Sequence, residues 1–315
     1  MTARRSQQRG VALITALLIT AIVAVLAVGM ASRQQLDIRR TGNIFDSGQT
    51  YLYALGVENW ARGLLAKDMV KNAQADNLNE DWATALAPIE VEGGKVAGQI
   101  EDLQGRFNLN NLVGPDDQPS AEDVKIFQRL LSSLKLEPEL AQPLVDWIDK
   151  NVELTIPSGA EDAEYLKRTP PYRAANRPLV SVTELLLVKG YTPQVYQALA
   201  PFVTALPTLP ESTKINVNTA PAPVLAALAD GVSASDANAL LNARKVKPYA
   251  NVDEFRAHPA LAGRALPVDK LAVSSRYFLV VSSSQAGRGQ VQLYSVVQRS
   301  LEGKVKVIER GQGSY

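Results

Sequence analysis

Residues 9–31 read RGVALITALLITAIVAVLAVGMA, and this stretch decides where the rest of the chain sits. From Val11 to Ala31 no side chain is charged, a run of 21 residues. As a helix rising ~1.5 Å per residue it extends roughly 31 Å, about the thickness of a bilayer core. Arg4, Arg5 and Arg9 precede it without an acidic residue. The positive-inside rule therefore keeps the N-terminus in the cytoplasm and sends everything after Ser32 across the membrane. Three processing outcomes compete. A secretory cut after the apolar run requires a small-x-small site, for which Ala27-Val28-Gly29 is a poor match. A plain signal anchor fits the composition. A cut between Gly10 and Val11 removes a short basic leader and leaves the apolar helix on a slightly acidic body.

The 315 residues are 46% hydrophobic and 21% charged, enough for a sizeable core. A formal charge of +1 argues against gripping nucleic acid by bulk charge. The absence of cysteine excludes disulfides, thiolate metal sites, cysteine catalysis and acylation at cysteine. His258 is the one histidine and, with Pro259 beside it, reads as a loop or helix-start residue. No Gly-x-Ser-x-Gly, P-loop, GxGxxG or HExxH pattern is present.

Past Ala31 the helical pattern turns amphipathic. Leu52, Leu55, Val57, Trp60, Leu64 and Leu65 recur at three- and four-residue spacing and predict a buried stripe on a stalk helix. Gly42, Gly48, Gly56 and Gly63 predict close packing at some of these positions. Strand signals lie far apart. Lys95–Asp102 follows a Gly93-Gly94 turn, while Tyr277–Ser283, Val291–Val297 and Lys304–Glu309 form a C-terminal meander with turns at Gly287/Gly289 and Glu302-Gly303. The first strand is expected to join that meander on the stalk helix. Residues from about Arg106 to Val273 then form an insertion, with helices expected over Ala121–Leu134, Pro138–Trp147, Ser181–Val188 and Pro193–Val203.

Two segments of the insertion look chemical. Asp146-Trp147-Ile148-Asp149-Lys150-Asn151 is followed by Gly159-Ala160-Glu161-Asp162-Ala163-Glu164-Tyr165, then Tyr172 and Asn176. Spacing alone fits a solvated acidic loop or a loop wrapping a hard cation, which wants six to eight oxygens. Acid–base chemistry by Asp146 and Asp149 is a third use of the same groups. The second segment, Lys214-Ile215-Asn216-Val217-Asn218-Thr219-Ala220-Pro221 through Phe255, resembles the helix-hairpin-helix unit of competence DNA receptors. Its hairpin, Ala229 to Asp236, carries Asp230 and Asp236 where a phosphate should sit and has no lysine. It reads as a retained SAM-like scaffold over 214–257.

In order along the chain, the basic leader with its apolar helix, the split sheet, the DWID and GAED clusters with Val182-Thr183-Glu184-Leu185, and the INVNTA module resemble the minor pseudopilin K family of type II secretion systems. The resemblance covers nearly the whole chain. It implies an α+β fold: a pilin-like transmembrane and stalk helix packed on an antiparallel sheet, with a large α-helical insertion. The domains are then a prepilin-type leader at 1–10, a transmembrane helix at 11–31, a stalk and sheet at 32–105 plus 274–315, and an inserted domain at 106–273 with a cation loop at 146–176. Pilin-like chains usually carry glutamate at mature position five; here that position is Thr15. The K-type subunit is the family member lacking it, as suits a tip subunit with no earlier N-terminal ammonium to pair with. The resemblance further implies calcium, with Asp149, Asn151, Glu161, Asp162, Glu164 and Asn176 as ligands and Asp146 beside them. Lys150 and Asn151 stand where the family more often has a second acid. The implied partners are the I and J minor pseudopilins, with H, the inner-membrane assembly platform and a prepilin peptidase. The implied role is non-enzymatic: capping the pseudopilus from the inner membrane, N-terminus cytoplasmic and body periplasmic. The leader class further implies methylation of the new N-terminus. The rivals are a membrane-anchored DNA receptor and a periplasmic calcium-dependent enzyme.

The basic leader predicts that the membrane-extracted protein begins at Val11. N-terminal sequencing that finds Met1, or a start after Gly29, removes the pilin-like reading.

Overall fold

The structure, a computed structural model, describes residues 9–71, 74–208 and 211–313. Residues 1–8 of the expected leader lie outside it. With no proline to interrupt it, the membrane run continues into the stalk as one helix, α1 (Arg9–Lys71). Its apolar N-terminal part is long enough to cross a membrane and is not buried against any part of the protein. Contact with the body involves Thr50, Ala54, Val57, Glu58, Ala61 and Leu65, all buried and spaced by three or four residues. Two members of the expected stripe are therefore misplaced: Leu52 and Trp60 are 66% and 44% exposed. The expected close packing at Gly42, Gly48, Gly56 and Gly63 is also absent, since a Cβ at each would meet nothing within 4 Å. The face turned to the sheet is built largely from small and polar side chains, which a hydrophobic pattern passes over.

After α1 come β1 (Leu86–Val91) and β2 (Gly94–Asp102), joined at Gly93, whose positive φ of 74° suits glycine. The chain then leaves this sheet. Through the insertion it forms β3 (Phe107–Asn108), α2 (Ala121–Ser133), α3 (Ala141–Ile148), α4 (Asp162–Tyr165), α5 (Pro193–Leu199), β4 (Val203–Thr204), β5 (Ile215–Asn216), α6 (Ala222–Ala227), α7 (Ala234–Val246), α8 (Val252–Arg256) and β6 (Leu271–Ala272). It returns as β7 (Tyr277–Ala286), β8 (Gly289–Arg299) and β9 (Val305–Gln312). The five long strands lie in the order β1-β2-β7-β8-β9, antiparallel throughout. Gly94 pairs with Ala286 and Asp102 with Phe278, so two segments separated by the insertion make one ladder. At Gly98 a Cβ would come within 2.5 Å of Val57 Cγ1, which fixes how closely helix and sheet approach.

β1 has no counterpart among the expected strands. Pro88 reads as a breaker, yet it is tolerated because β1 is an edge strand with an irregularity between Leu86 and Ile89. Three expected helices are also shorter or tighter than their patterns. Pro138–Trp147 resolves into a 3-10 turn at Pro138–Leu140 followed by α3. Ser181–Val188 is a 3-10 segment (Val182–Leu187) closed by a capping box between Ser181 and Glu184. Pro193–Val203 ends early because Val203 pairs with Phe107 in a short parallel bridge.

The largest core lies inside the insertion. Phe107, Phe127, Leu144, Trp147, Tyr165, Leu225, Leu240 and Phe255 belong to one continuous buried cluster. A smaller cluster, with Leu65, Trp82, Ile100, Phe278 and Val297, joins α1 to the sheet. The two bodies meet at a buried polar junction. Arg299, at the end of β8, donates to Asp68 of α1 at 2.9 Å, to Asp76, and to the Ser275 carbonyl at 2.9 Å. Ser275 donates its N–H to Asp76 and its hydroxyl to Asp102, both at 2.6 Å. From the insertion, Asn216 donates to Asp102 at 3.0 Å and to the Asp76 carbonyl at 3.1 Å, and Thr219 donates to Asp102 at 2.6 Å.

Burial, the first cause in each case, raises the carboxyls of Asp68, Asp76 and Asp102 above the ordinary 3.8, and Arg299 offsets this only partly at the first two. The folded junction keeps protons that the unfolded chain has released, so its contribution weakens as pH rises from about 4 through those raised values. Arg299→Met should cost about 3–5 kcal/mol at neutral pH, because it strands buried carboxylates. The cost should shrink as pH falls through those raised values and the carboxylates protonate. Urea titrations at several pH values check this, and a pH-independent loss contradicts it.

Candidate cation pocket in the inserted domain

α3 delivers Asp146 and Trp147 to the core and ends at Asp149, whose extended backbone caps it and turns the chain outward. The chain returns through Gly159 to Glu161, which precedes the short α4. Behind this loop, Trp147 meets Tyr165 edge-on at 5.1 Å, Tyr172 stacks on Tyr165 at 5.6 Å, and the Arg168 guanidinium lies over both tyrosine rings. These aromatic rings pack behind the base of the loop.

The structure brings most of the expected residues together but gives them different tasks. Asp146 is fully buried and satisfied: its carboxylate accepts the N–H of Thr155 at 3.1 and 3.2 Å and that of Ala160 at 2.7 Å. Gly159 passes so close to Asp146 Oδ2 that a Cβ there would collide with it. Asn151 uses its side-chain oxygen on the Glu153 N–H at 2.7 Å, and its carbonyl accepts the Asn176 amide at 3.3 Å. Asp162 accepts the Ala174 N–H at 3.0 Å and faces Arg173, and Glu164 faces Lys167. By contrast, Asp149 Oδ1, both oxygens of Glu161 and Asn176 Oδ1 are buried without a hydrogen-bond partner. Asn176 also holds a positive φ of 45°. Orphaned buried oxygens of this kind are costly unless something outside the chain satisfies them.

Electrostatics mark the same groups. Burial first, then the charge of Asp146, pushes Asp149 up to about 6 and Glu161 up to about 7. Burial also raises Asp146, against its hydrogen bonds and the nearby Lys189. Oxygen donors only, two of them carboxylates, suit a hard divalent cation better than a soft one. Two residues with a part in the loop carried no sequence signal. Gln142 accepts the Ser158 N–H at 2.6 Å, and Lys189 places its ammonium 3.4 and 3.3 Å from the carbonyls of Ser158 and Gly159.

Elsewhere, among the described residues, Asp68, Asp76 and Glu80 each bring a carboxylate oxygen within 4.8 Å of the others. Arg299 already bonds to two of them, and Glu80 accepts from Asn77 and Trp82, so these carboxylates belong to a structural network. At the helix-hairpin-helix segment, Asp236 accepts the Ser233 N–H at 2.9 Å, and Arg264 bridges the Asp230 carbonyl and Asp236. A carboxylate thus occupies the hairpin amide that a phosphate would use. Thr15 donates its hydroxyl to the carbonyls of Val11 and Ala12, both at 3.0 Å, so that position is satisfied within its own helix.

Comparison with known proteins bears on the whole chain. Residues 105–208 and 215–274 match the two family models described as type II secretion system (T2SS), protein K. The type II secretion system protein K of Pseudomonas aeruginosa is 38% identical over 98% of this chain and 94% of its own length. That of Aeromonas hydrophila is 35% identical over 98% of both. Among solved structures, a chain of the GspK-GspI-GspJ complex from enterotoxigenic Escherichia coli superposes with a TM-score of 0.78 at 30% identity, covering 88% of this chain and all of that one. With the pilin-like helix and split sheet in place and the insertion spanned by both models, the chain belongs to the protein K family of type II secretion systems.

Proposed function

We propose that this chain is a non-enzymatic subunit that caps the secretion pseudopilus and starts its assembly with the I and J minor pseudopilins, and with H, at the platform in the inner membrane. The observation that carries this reading is the outward face of α1. Phe45, Leu52 and Trp60 are 72%, 66% and 44% exposed and share one side of the helix with Gly42, Gly56 and Gly63. At 100° per residue that side lies opposite Ala54, Ala61 and Leu65, which face the sheet. Bulky apolar side chains beside open glycines suit another helix packed at close range. The resembling solved complex, made of K, I and J chains, supports those partners. The leader's arginines support a cytoplasmic N-terminus, a periplasmic body and cleavage by a prepilin peptidase, with methylation of the new N-terminus to follow.

Thr15 and the insertion together favour a starting subunit. With its hydroxyl bonded inside α1, Thr15 presents no charge to a neighbouring ammonium. The insertion enlarges the body beyond what a tightly repeating helical stack accommodates. Such a chain begins a polymer and does not extend one. Trp60→Glu should therefore weaken the complex with soluble I and J pseudopilins by about 2 kcal/mol or more, roughly 30-fold, with the melting temperature nearly unchanged. Thr15→Glu in the full chain should not make it polymerise. Co-purification and electron microscopy read both. Filaments of this chain alone, or indifference to I and J together with duplex DNA binding at physiological salt, would replace this reading.

Calcium binding by the insertion is part of the same proposal, supported by the orphaned oxygens of Asp149, Glu161 and Asn176. A cation that binds the folded state stabilises it by about 2.7 kcal/mol at 100 times its Kd. Calcium should thus raise the melting temperature by several degrees, and magnesium, which demands a rigid octahedron, much less. Glu161→Ala should abolish the rise. An equal rise in that variant counts against the pocket.

A further inference from the structure

We propose that Arg33, Arg39 and Arg40 bind the phosphates of anionic phospholipids on the membrane face from which α1 emerges, and so hold the helix at one depth. This rests on reading residues 11–31 as a membrane span. Past Ala31 the helix runs bare: residues 31–45 are all exposed. Among the described residues, the first hydrogen bond between α1 and the body is made by Asp46, which accepts the Arg288 N–H at 3.0 Å. Asp46 lies roughly 22 Å beyond Ala31 along the axis. Within this neck three arginines stand against a single acid, Asp37.

The heights of these arginines match a headgroup layer, which is roughly 5–8 Å deep on each side of the hydrocarbon core. Arg33 is about 3 Å past the apolar run. Arg39 and Arg40 are about 12 and 14 Å past it by backbone rise. Helical side chains lean toward the N-terminus and cover the turn before their own, which brings both guanidinium groups back by about 5 Å. A tilt near the usual ~20° lowers them further. Guanidinium matches phosphate through paired, charge-assisted hydrogen bonds.

The chain offers these arginines no other partner. Among the described residues none of the three makes an ion pair within 4.0 Å, although Asp37 stands four residues from Arg33 and three from Arg40. Further along, the same helix holds its charges in pairs: Glu58 with Arg310, Asp68 with Arg299, and Lys71 with Asp81. The arginines also avoid the side of α1 proposed to pack another helix. At about 100° per residue, each lies roughly 120–140° around from Phe45. An apolar span alone leaves depth and tilt loosely set, and charges fixed to phosphates at one rim set them.

The test offers the detergent-solubilised full chain equal amounts of phosphatidylglycerol and phosphatidylcholine, with retained lipid read by native mass spectrometry. Phosphatidylglycerol should be retained roughly fivefold or more over phosphatidylcholine. The combined Arg33→Gln, Arg39→Gln and Arg40→Gln variant should retain both equally and melt as the wild type does. Lys306→Gln, an exposed charge on β9 level with Arg62 and roughly 46 Å above the core, should keep the preference. Because the chain has no cysteine, Gln35→Cys carries one fluorescent label. In vesicles, lipids with a nitroxide on the headgroup should quench that label more strongly when phosphatidylglycerol is present, and the combined variant should lose the difference. Equal retention by the wild type overturns the proposal, as does a preference that survives the combined variant or falls equally in Lys306→Gln. If the combined variant keeps its lipid preference but releases the I and J pseudopilins, the arginines serve acidic side chains of those subunits instead. A chain that alkaline carbonate strips from vesicles sinks the membrane-span reading itself, an outcome distinct from a missing lipid preference.

Discussion

Among the described residues, Arg299 is the cation at the meeting point of α1, the sheet and the segment that leads back from the insertion. Its guanidinium reaches Asp68 at the end of α1, Asp76 in the connection that follows, and the Ser275 carbonyl where the chain re-enters the sheet, and it lies 4.9 Å from the centre of the Phe278 ring. Ser275 passes the network to Asp102 at the end of β2, and Asp102 passes it to Asn216 and Thr219 of the insertion. β2 ends and β7 begins at this point, which is where an insertion must leave and rejoin a ladder. Apolar packing alone would leave the angle between the two bodies loosely set, since it is non-directional. Buried hydrogen bonds to fixed carboxylates set it, at the cost of holding more negative than positive charge out of water.

With the insertion fixed there, the rest of the surface divides into faces that invite contact and faces that refuse it. Both sheet edges are poor templates for another strand. β1 carries Pro88 and an irregular register, while β9 has an irregularity opposite Val296 and Val297, exposed Lys306 and Arg310, and the Val305 carbonyl held by Arg62. The outward side of α1 has none of these defences. Association through the stalk and not through the sheet is the arrangement a helical-cored filament needs.

Much of this was legible in the sequence because the signals are local. An uncharged run of bilayer length, strands rich in β-branched residues and glycine-marked turns each state their structure within about ten residues. The phase of α1 was not legible, since Leu52 and Trp60 look like core residues and Thr50 and Glu58 do not. The reverse holds because the Thr50 hydroxyl donates to the Asp46 carbonyl of its own helix, while Ser295 and Arg310 satisfy Glu58 from strands more than 230 residues away. β1 was missed for a related reason: a proline is acceptable in a strand only at an edge, and being an edge is a property of the whole sheet. In the acidic loop, the sequence showed which oxygens are present but not how they divide between internal hydrogen bonds and unpartnered atoms. Which carboxylate is consumed by backbone N–H groups depends on where Thr155 and Ala160 come to rest, and no spacing rule records that.

The same principle links the two ends of the chain. A carboxylate is stable out of water only where something compensates it. In the insertion, Asp146 has backbone donors and a nearby ammonium, whereas no ammonium offsets Asp149 or Glu161, and Asp149 Oδ1 and both Glu161 oxygens are buried without a hydrogen-bond partner, which is what the proposed cation would supply. In the apolar helix, Thr15 bonds to the carbonyls of its own helix, and among the described residues no other polar partner is found for it. A glutamate there would need an ammonium from a subunit already in place. A subunit that arrives first has none to meet, so threonine at this position and an enlarged head at the other end are consistent demands of one location in the filament.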